Sequence, residues 1–443
     1  MRLHLTNLGC KLNQAEMEDL ARRASADGHE IVASLEAADV HVVNSCTVTQ
    51  AAARTSRKTA RRAHRLRDGS DAGPRTVLTG CYVDGCPDEA ARLAGVDLIV
   101  PNRDKDLLLE SIYRRFPEWR PRPAERIPVP YVPLAFGNSR ALLKIEDGCN
   151  MGCTFCIIPA TRGRQRSLPA DGVVDEARRL GRAGFREVVG TGVQISAYRD
   201  GATRLAGLVR RLLDETEVER FRLTSIAPWD FDPRLLDLVE TGRVCRHFHL
   251  SLQSGCDATL RRMRRPYDGR TYRELVDRIR RRLPGVAITT DVIVGFPGES
   301  EEEFRRSLDF VAATRFAKIH AFPYSPRPGT VAADLPDQVP PAVRRERMDR
   351  LLAAAAGAER DFVAAQVGRT LPVLWERKRG RTWQGTSDNY VKVSSASGAR
   401  GRKSPELGEL LRSLTPTLIE GLTDDSARGR PLVPAPAPRG PGR

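Results

Sequence analysis

The spacing of apolar residues changes period along the chain, and the changes mark three segments. In the first, residues 1–116, short β-branched runs alternate with stretches of helical period. Leu3 to Leu8 reads as a strand, Gln14 to Ala26 as a helix, Val40 to Asn44 as a buried strand, the residues after Cys46 through Arg67 as a helix, and Thr76 to Thr79 as a strand. This alternation predicts a parallel sheet covered by helices. Residues 117–138 carry Pro117, Pro121, Pro123, Pro128, Pro130 and Pro133, a density that stops helices and central strands and predicts a stiff linker.

The second segment, 139–366, alternates again. Strands are expected at Ala141–Ile145, Glu187–Val189, Arg222–Ser225, His247–Leu252, Ala287–Val294 and Lys318–Ala321, with helices such as Asp171–Ala183 and Tyr272–Leu283 between them. Six such units predict a partial (β/α)6 barrel. From Gly368 the runs shorten: Thr370–Trp375, Thr382–Gly385 and Tyr390–Val393 are strands between polar turns, which predicts a small β-barrel over 367–425. The Pro- and Arg-rich residues 426–443 read as a disordered tail. The fold class is α/β with an all-β module at the end.

A length of 443 residues agrees with about three domains. No apolar run reaches the roughly 18–20 residues of a membrane span, and the first residues lack a secretory apolar core, so a cytoplasmic protein is expected. The formal charge is +16, almost all of its basic side chains being arginine. That excess fits either a solvated basic surface or an anionic partner such as nucleic acid. Nine cysteines are an odd number and too scattered for a disulfide framework.

Their neighbourhoods carry the chemistry. Cys149-Asn-Met-Gly-Cys153-Thr-Phe-Cys156 follows a predicted barrel strand at its C-terminal end, where barrel sites form. Three thiolates at this spacing can hold three irons of a 4Fe–4S cube and leave the fourth open for chemistry. A structural zinc would want a fourth Cys or His nearby, and none lies within about ten residues on either side. Cys10, Cys46 and Cys81 are separated by thirty-five and thirty-four intervening residues, yet each sits just past the end of a predicted strand. Strand ends of a parallel sheet share one edge, so distant cysteines can converge there. The alternative is three buried packing cysteines. Cys86, beyond a predicted turn and before Pro87, is left out of the ligand set, and Cys245 and Cys256, flanking a strand, read as packing residues.

The C-x3-C-x2-C run resembles the signature of the radical S-adenosylmethionine superfamily. With Cys10, Cys46 and Cys81 ahead of it and a small barrel behind, the chain resembles the methylthiotransferases over nearly its whole length. The resemblance extends through Asn7-Leu8-Gly9-Cys10-Lys11-Leu12-Asn13-Gln14, Asn44-Ser45-Cys46-Thr47-Val48-Thr49, Ser251-Leu252-Gln253-Ser254-Gly255, Asp291 to Glu299 and Pro323 to Thr330. It implies two 4Fe–4S clusters, S-adenosylmethionine as radical source and methyl donor, and a terminal module like the RNA-binding TRAM domain. It also implies an electron donor such as a flavodoxin or ferredoxin; a monomer is expected. Of three substrate branches, the Gly-Cys-Lys-Leu-Asn-Gln start resembles the one acting on threonylcarbamoyladenosine in tRNA. The others act on isopentenyladenosine in tRNA and on an aspartate of a ribosomal protein. A non-enzymatic RNA-binding protein with structural metal sites is the remaining alternative.

Other residues are expected around these centres. Gly190 and Gly192, with Gln194, form a turn that lets backbone approach a ligand, and the resemblance places S-adenosylmethionine there. Gln253 and Ser254 follow a strand and can hydrogen-bond the same cofactor. Asp291, acidic in an apolar strand, is costly to bury alone and is expected to face a polar ligand, S-adenosylmethionine, rather than a structural salt bridge. His247 and His249 share one strand face and read as inward packing rather than a zinc pair. Arg54, Arg57, Lys58, Arg61, Arg62 and Arg65 fall on one face of the helix expected after Cys46, a like-charged stripe that RNA phosphate would neutralise. Lys378, Arg381, Trp383 and Tyr390 combine cations with aromatic rings, as single-stranded nucleic-acid binders do. Arg327 is a candidate cation for the threonylcarbamoyl carboxylate.

Overall fold

The computed structural model describes residues 1–66, 73–121, 139–396, 410–424 and 426–432. In the N-terminal domain, β1 (Arg2–Asn7), β2 (Glu30–Ile31), β3 (Val40–Ser45), β4 (Arg75–Gly80) and β5 (Leu98–Val100) form one parallel sheet in the order β2-β1-β3-β4-β5. Every residue of β3 is buried, as expected of a central, β-branched strand covered on both faces. Helix α1 (Lys11–Ala26) packs Met17, Leu20 and Ala24 onto this sheet. Helix α2 (Gln50–Ala60) starts at Thr49, whose hydroxyl accepts from the Ala52 N–H at 3.1 Å. Helix α3 (Cys81–Gly85) starts directly from β4. The short strands β2 and β5 were not expected from the pattern, because two or three residues carry no period.

The helix expected through Arg67 ends at Ala60; Arg61 caps it, a turn follows, and His64–Leu66 is a 3-10 helix. Arg67 lies outside the described residues, as do 122–138, most of the expected linker. The first linker residues are ordered instead: Pro117–Trp119 forms a 3-10 turn, and Trp119 packs on the Phe116 ring with centroids 4.6 Å apart.

The central domain has six parallel strands, β6 (Arg140–Lys144), β7 (Glu187–Thr191), β8 (Arg220–Leu223), β9 (His247–His249), β10 (Ala287–Val294) and β11 (Lys318–Pro323). They run in chain order around an open barrel, with bridges at Phe221–Val244 and Ile226–Leu250 joining the β8 side to the β9 side. Helices pack Val174, Leu208 and Val276 against the outer face. The inner face of β6 and β7 is covered by another domain: Ala15 of α1 packs on Leu142 and Val189. Helix α4 (Ile158–Arg162) follows the cysteine run, and α5 (Pro341–Ala364) leads to the last module, Leu351 and Ala355 packing on the central core and Phe362 and Val363 on the terminal one.

The terminal module is a closed five-stranded barrel of β12 (Thr370–Arg379), β13 (Thr382–Ser387), β14 (Lys392–Ala396), β15 (Leu414–Leu422) and β16 (Ala427–Pro431), in the order β12-β13-β14-β16-β15. The expected disordered tail is therefore corrected at its start. Residues 427–431 are a barrel strand, with Ala427 in the core, because closure leaves no edge strand exposed. Residues 433–443 lie outside the described ones. No helix among the described residues is long and apolar enough to cross a membrane.

Candidate active site

Parallel register sets the first cysteine group. Asn7, Asn44 and Thr79 stand side by side across β1, β3 and β4, and Ser45 pairs with Gly80. Cys10, Cys46 and Cys81 follow within three residues, on one sheet edge. Each is held differently. Cys10 is the first residue before α1, and its thiol points to Asn13 Oδ1 at 3.7 Å. Ser56 pins Cys46, accepting from its N–H at 3.0 Å and donating to its carbonyl at 2.9 Å. Cys81 opens α3 because Gly80 turns the chain with φ +97°; a side chain there would strike the Ser45 backbone and Asn44 Oδ1. The three thiols feel one another: burial first, then the Cys81 and Cys10 thiols, push Cys46 up to about 11.

The second group lies on the loop after β6. Cys149 N–H donates to Gly163 O at 3.1 Å, Cys156 N–H to Cys153 O at 3.1 Å, and Met151 N–H to Cys149 Sγ at 3.4 Å. Arg265 donates to Cys153 Sγ at 3.3 Å and is stacked over Trp229 and Tyr267, 4.6 and 5.3 Å from their centroids. Burial first, then Cys153 and Cys149, push Cys156 up to about 12. Crowded, half-buried thiols that resist ionisation by themselves are suited to electropositive iron, which binds the thiolate and neutralises it.

Glu146 joins the loop to the turn after β7. Its Oε2 accepts from Val193 and Gln194 N–H at 2.7 and 2.9 Å, and it is this carboxylate that Gly192 must clear. Gly190 has only ordinary contacts, so the close approach expected of the glycines is made at Gly192 and by a protein side chain. Glu146 Oε1 is buried without a hydrogen-bond partner among the described residues, and burial pushes its carboxyl up to about 7. The Gln194 side chain reaches to 4.0 Å from Cys149 Sγ.

Beneath both groups lies a buried ionic network that sequence inspection missed. Glu16 of α1 takes Lys105 at 2.7 Å, Arg162 at 2.9 Å and Lys144 at 3.1 Å; Arg162 also takes Asp147 at 2.9 Å and bonds Asn13 Oδ1, the acceptor facing Cys10. The network joins the N-terminal domain to the barrel, reaching the Cys10 side through Asn13 and the second loop through Asp147, two residues before Cys149. One signal was available: Glu16 falls on the stripe of Leu12 and Leu20, where an acid requires buried partners.

A cavity of about 180 Å³ occupies the barrel interior, lined by Cys10, Lys11 and Gly192 among others. Tyr390, at φ +67°, closes it; its ring stacks on His247 at 4.7 Å and lies under the Arg222 guanidinium at 4.8 Å. Burial would raise the Tyr390 hydroxyl, but Lys11, Arg140, Arg222 and Lys392 bring it down to about 8.

Several expected site residues are placed elsewhere. Tyr390 faces this interior rather than an outer RNA surface, and Trp383 is 3% exposed in the core of the terminal barrel, where its ring closes the hydrophobic centre. Lys378 and Arg381 are on the surface. Ser254 is fully buried, accepting from Cys256 N–H at 3.2 Å and facing Ser307 on the outer helix layer, away from the interior. Gln253 sits at φ +70°, bridging to β10. Asp291 accepts from His249 Nε2 at 3.1 Å, and His247 and His249 both bond Thr289 Oγ1. Arg327 is buried against Thr47 Oγ1 at 2.7 Å and does not line the cavity. Arg57 pairs with Glu89 at 3.2 Å across the Tyr82 ring, whereas Arg54, Lys58, Arg61, Arg62 and Arg65 are exposed. Because α2 ends at Ala60, those five are not one helical stripe but a patch that continues around the following turn.

An open parallel barrel with a three-cysteine loop after its first strand defines a radical S-adenosylmethionine enzyme. Residues 143–311 match the Radical SAM superfamily, and residues 2–101 match the Uncharacterized protein family UPF0004. The chain is 35% identical over 406 residues to the threonylcarbamoyladenosine tRNA methylthiotransferase MtaB of Bacillus subtilis (strain 168), covering 87% of this chain and 88% of that one. It is 35% identical over 430 residues to MtaB of Aquifex aeolicus (strain VF5), covering 94% and 100%. It is also 35% identical over 402 residues to the tRNA-2-methylthio-N(6)-dimethylallyladenosine synthase of Sphingopyxis alaskensis, covering 86% and 88%. The radical S-adenosylmethionine methyltransferase TsrM of Kitasatospora setae shares the fold, with TM-score 0.57 at 17% identity over 75% of this chain and 77% of that one. The chain belongs to the radical SAM methylthiotransferase family. With the family come a 4Fe–4S cluster and S-adenosylmethionine, and Cys149, Cys153 and Cys156, three thiols on one loop after β6, are the candidate ligands.

Proposed function

We propose that this enzyme converts threonylcarbamoyladenosine beside the anticodon of tRNA to its 2-methylthio derivative. Cys149, Cys153 and Cys156 would hold one 4Fe–4S cluster, and Cys10, Cys46 and Cys81 a second. When bound, the clusters supply reductive cleavage of S-adenosylmethionine at the first and a sulfur source at the second. Radical chemistry suits the task, since an adenine C–H is not removed by any side-chain base at neutral pH.

The observation that carries the reading is convergence on the end of β7. Cys10 and Gly192 line one cavity, while Gln194, two residues on, stands beside Cys149. The turn that bounds the cavity beside Cys10 leads within two residues to the Cys149 thiol. The protein's own part is to position and to exclude water. Asn13 faces the Cys10 thiol, Ser56 fixes the Cys46 backbone, Glu146 and the Gly192 turn shape the second loop, and the terminal barrel closes the interior through Tyr390. The exposed Arg54, Lys58, Arg61, Arg62 and Arg65 lie on the segment leaving Cys46 and offer phosphate contacts. A one-electron reductant, such as a flavodoxin or ferredoxin, completes the system.

The test is nucleoside mass spectrometry of total tRNA from a strain lacking the gene. Loss of methylthio-threonylcarbamoyladenosine with retention of the unmethylthiolated parent is the expected result. Loss of methylthio-isopentenyladenosine instead overturns the substrate and leaves the chemistry standing. Loss of neither, with a ribosomal protein losing its modification, overturns the RNA reading as well.

A further inference from the structure

The interior cavity has an unusual charge inventory. Lys11 is the one lysine or arginine that lines it, and no carboxylate does. Thr224, Ser225, His249 and His320 supply further polar groups. Asp291, on the same strand face as Thr289, is taken up by its hydrogen bond from His249. Lys11 itself has no carboxylate partner among the described residues; its ammonium stands 5.8 Å from the Tyr390 ring centroid. Two other cations border that ring and both are committed. Arg222 serves Glu187 at 2.8 Å and two backbone carbonyls, and Lys392 bonds Thr386 Oγ1 at 2.8 Å with Glu376 at 3.7 Å. Lys11 is thus a partly buried ammonium left available at a polar cavity, one residue from Cys10.

A buried cation is stable when an anion arrives to pair with it. An isopentenyl substituent brings only apolar surface and leaves the Lys11 ammonium without a counter-charge, whereas a carboxylate pairs with it. We propose that Lys11 binds the carboxylate on the N6 substituent of the target adenosine and thereby selects that substrate over one with an apolar substituent. This rests on the substrate proposed above and adds the residue that reads it. Lys11 replaces Arg327, which is buried against Thr47 and does not line the cavity.

The experiment uses reconstituted full-length protein and three anticodon stem-loops. One carries threonylcarbamoyladenosine, one its carboxamide analogue with the carboxylate charge removed, and one isopentenyladenosine. Wild-type protein is expected to bind the carboxylate form about tenfold more tightly than the carboxamide, the worth of one charge-assisted bond. Lys11→Met should bring that ratio close to one, and Lys11→Arg should keep most of it; Lys11→Gln replaces Lys11→Met if the latter does not fold. A purely structural lysine would weaken all three stem-loops alike and leave the ratio unchanged. If wild-type protein prefers the isopentenyl stem-loop, the substrate reading falls and this inference with it. If wild-type protein discriminates and Lys11→Met discriminates equally, only the assignment to Lys11 is overturned.

Discussion

Glu187 is the place where a single atom change should detach one domain from another. It opens β7, is 0% exposed, and sits among three arginines: Arg220 Nε at 2.6 Å, Arg222 Nε at 2.8 Å and Arg140 at 4.0 Å. All three continue into the terminal barrel, Arg140 by its pair with Glu376 at 2.6 Å. Arg220 donates to the Pro372 and Thr386 carbonyls at 2.8 and 3.1 Å, and Arg222 to those of Asp388 and Ser387 at 3.0 and 2.9 Å. Glu187→Gln keeps the shape but leaves these guanidiniums buried without a counter-charge. Removing one partner of a buried pair costs about 3–5 kcal/mol. Part of that loss falls on four charge-assisted bonds of about 1.5–3 kcal/mol each that attach the barrel. The barrel carries Tyr390, so the active-site cavity should open with it.

The assay is urea unfolding followed by tryptophan fluorescence, since Trp375 and Trp383 both report on the barrel core, alongside circular dichroism for the whole chain. The variant should lose about 3–5 kcal/mol, the fluorescence transition moving ahead of the dichroism. Replacing Glu187 and Arg222 together with Met should cost less than Glu187→Gln alone, because no charge is then stranded. Acid should act the same way. Burial raises the Glu187 carboxyl, but Arg220, Arg222 and Arg140 outweigh it and hold it below its ordinary value of 4.5. Its contribution is therefore complete above that value and is lost as pH falls below it. A loss under about 1 kcal/mol in Glu187→Gln refutes the claim that this carboxylate compensates the arginines.

Four further outcomes follow from the site. Anaerobically reconstituted protein should hold about eight irons, and replacing Cys149, Cys153 and Cys156 by Ala should leave about half; iron analysis that finds all of it retained rejects two separate clusters. Gly80→Ala should remove the same share of iron as Cys81→Ala, since a side chain at φ +97° strikes the Ser45 backbone and moves Cys81, and iron retention in that variant would falsify the strain argument. Replacing the exposed Arg54, Lys58 and Arg61 by Gln should lower the slope of log tRNA affinity against log salt by up to about 2.7, whereas Arg57→Gln, already paired with Glu89, should change the slope least. His41, on the central strand, is held neutral by burial first and then by His4 and Arg62, which bring it to about 3 from an ordinary value of 6.5. Stability from the neutral ring is complete above 6.5 and lost as pH falls toward 3, so His41→Leu should flatten the acid limb of the unfolding profile.

The local pattern by itself determined a great deal. β-Branched runs and helical stripes marked all six barrel strands, and the cysteine loop was legible because its three cysteines lie within eight consecutive residues. Cys10, Cys46 and Cys81 could be grouped from sequence only because a parallel sheet places its strand ends on one edge. What the sequence did not hold was the direction in which a side chain is finally buried. Trp383 and Tyr390 have the composition of a stacking surface, yet barrel closure turned one into core and domain docking turned the other toward the active-site cavity. The tail read as disordered on its Pro and Arg content, but β16 pairs with both β14 and β15, and that pairing outweighs local propensity. Glu16, Glu187, Arg162 and Arg222 are single charges far apart in the chain. Their meaning exists only where packing removes water and forces each to find its partner, and so the tertiary structure alone decided it.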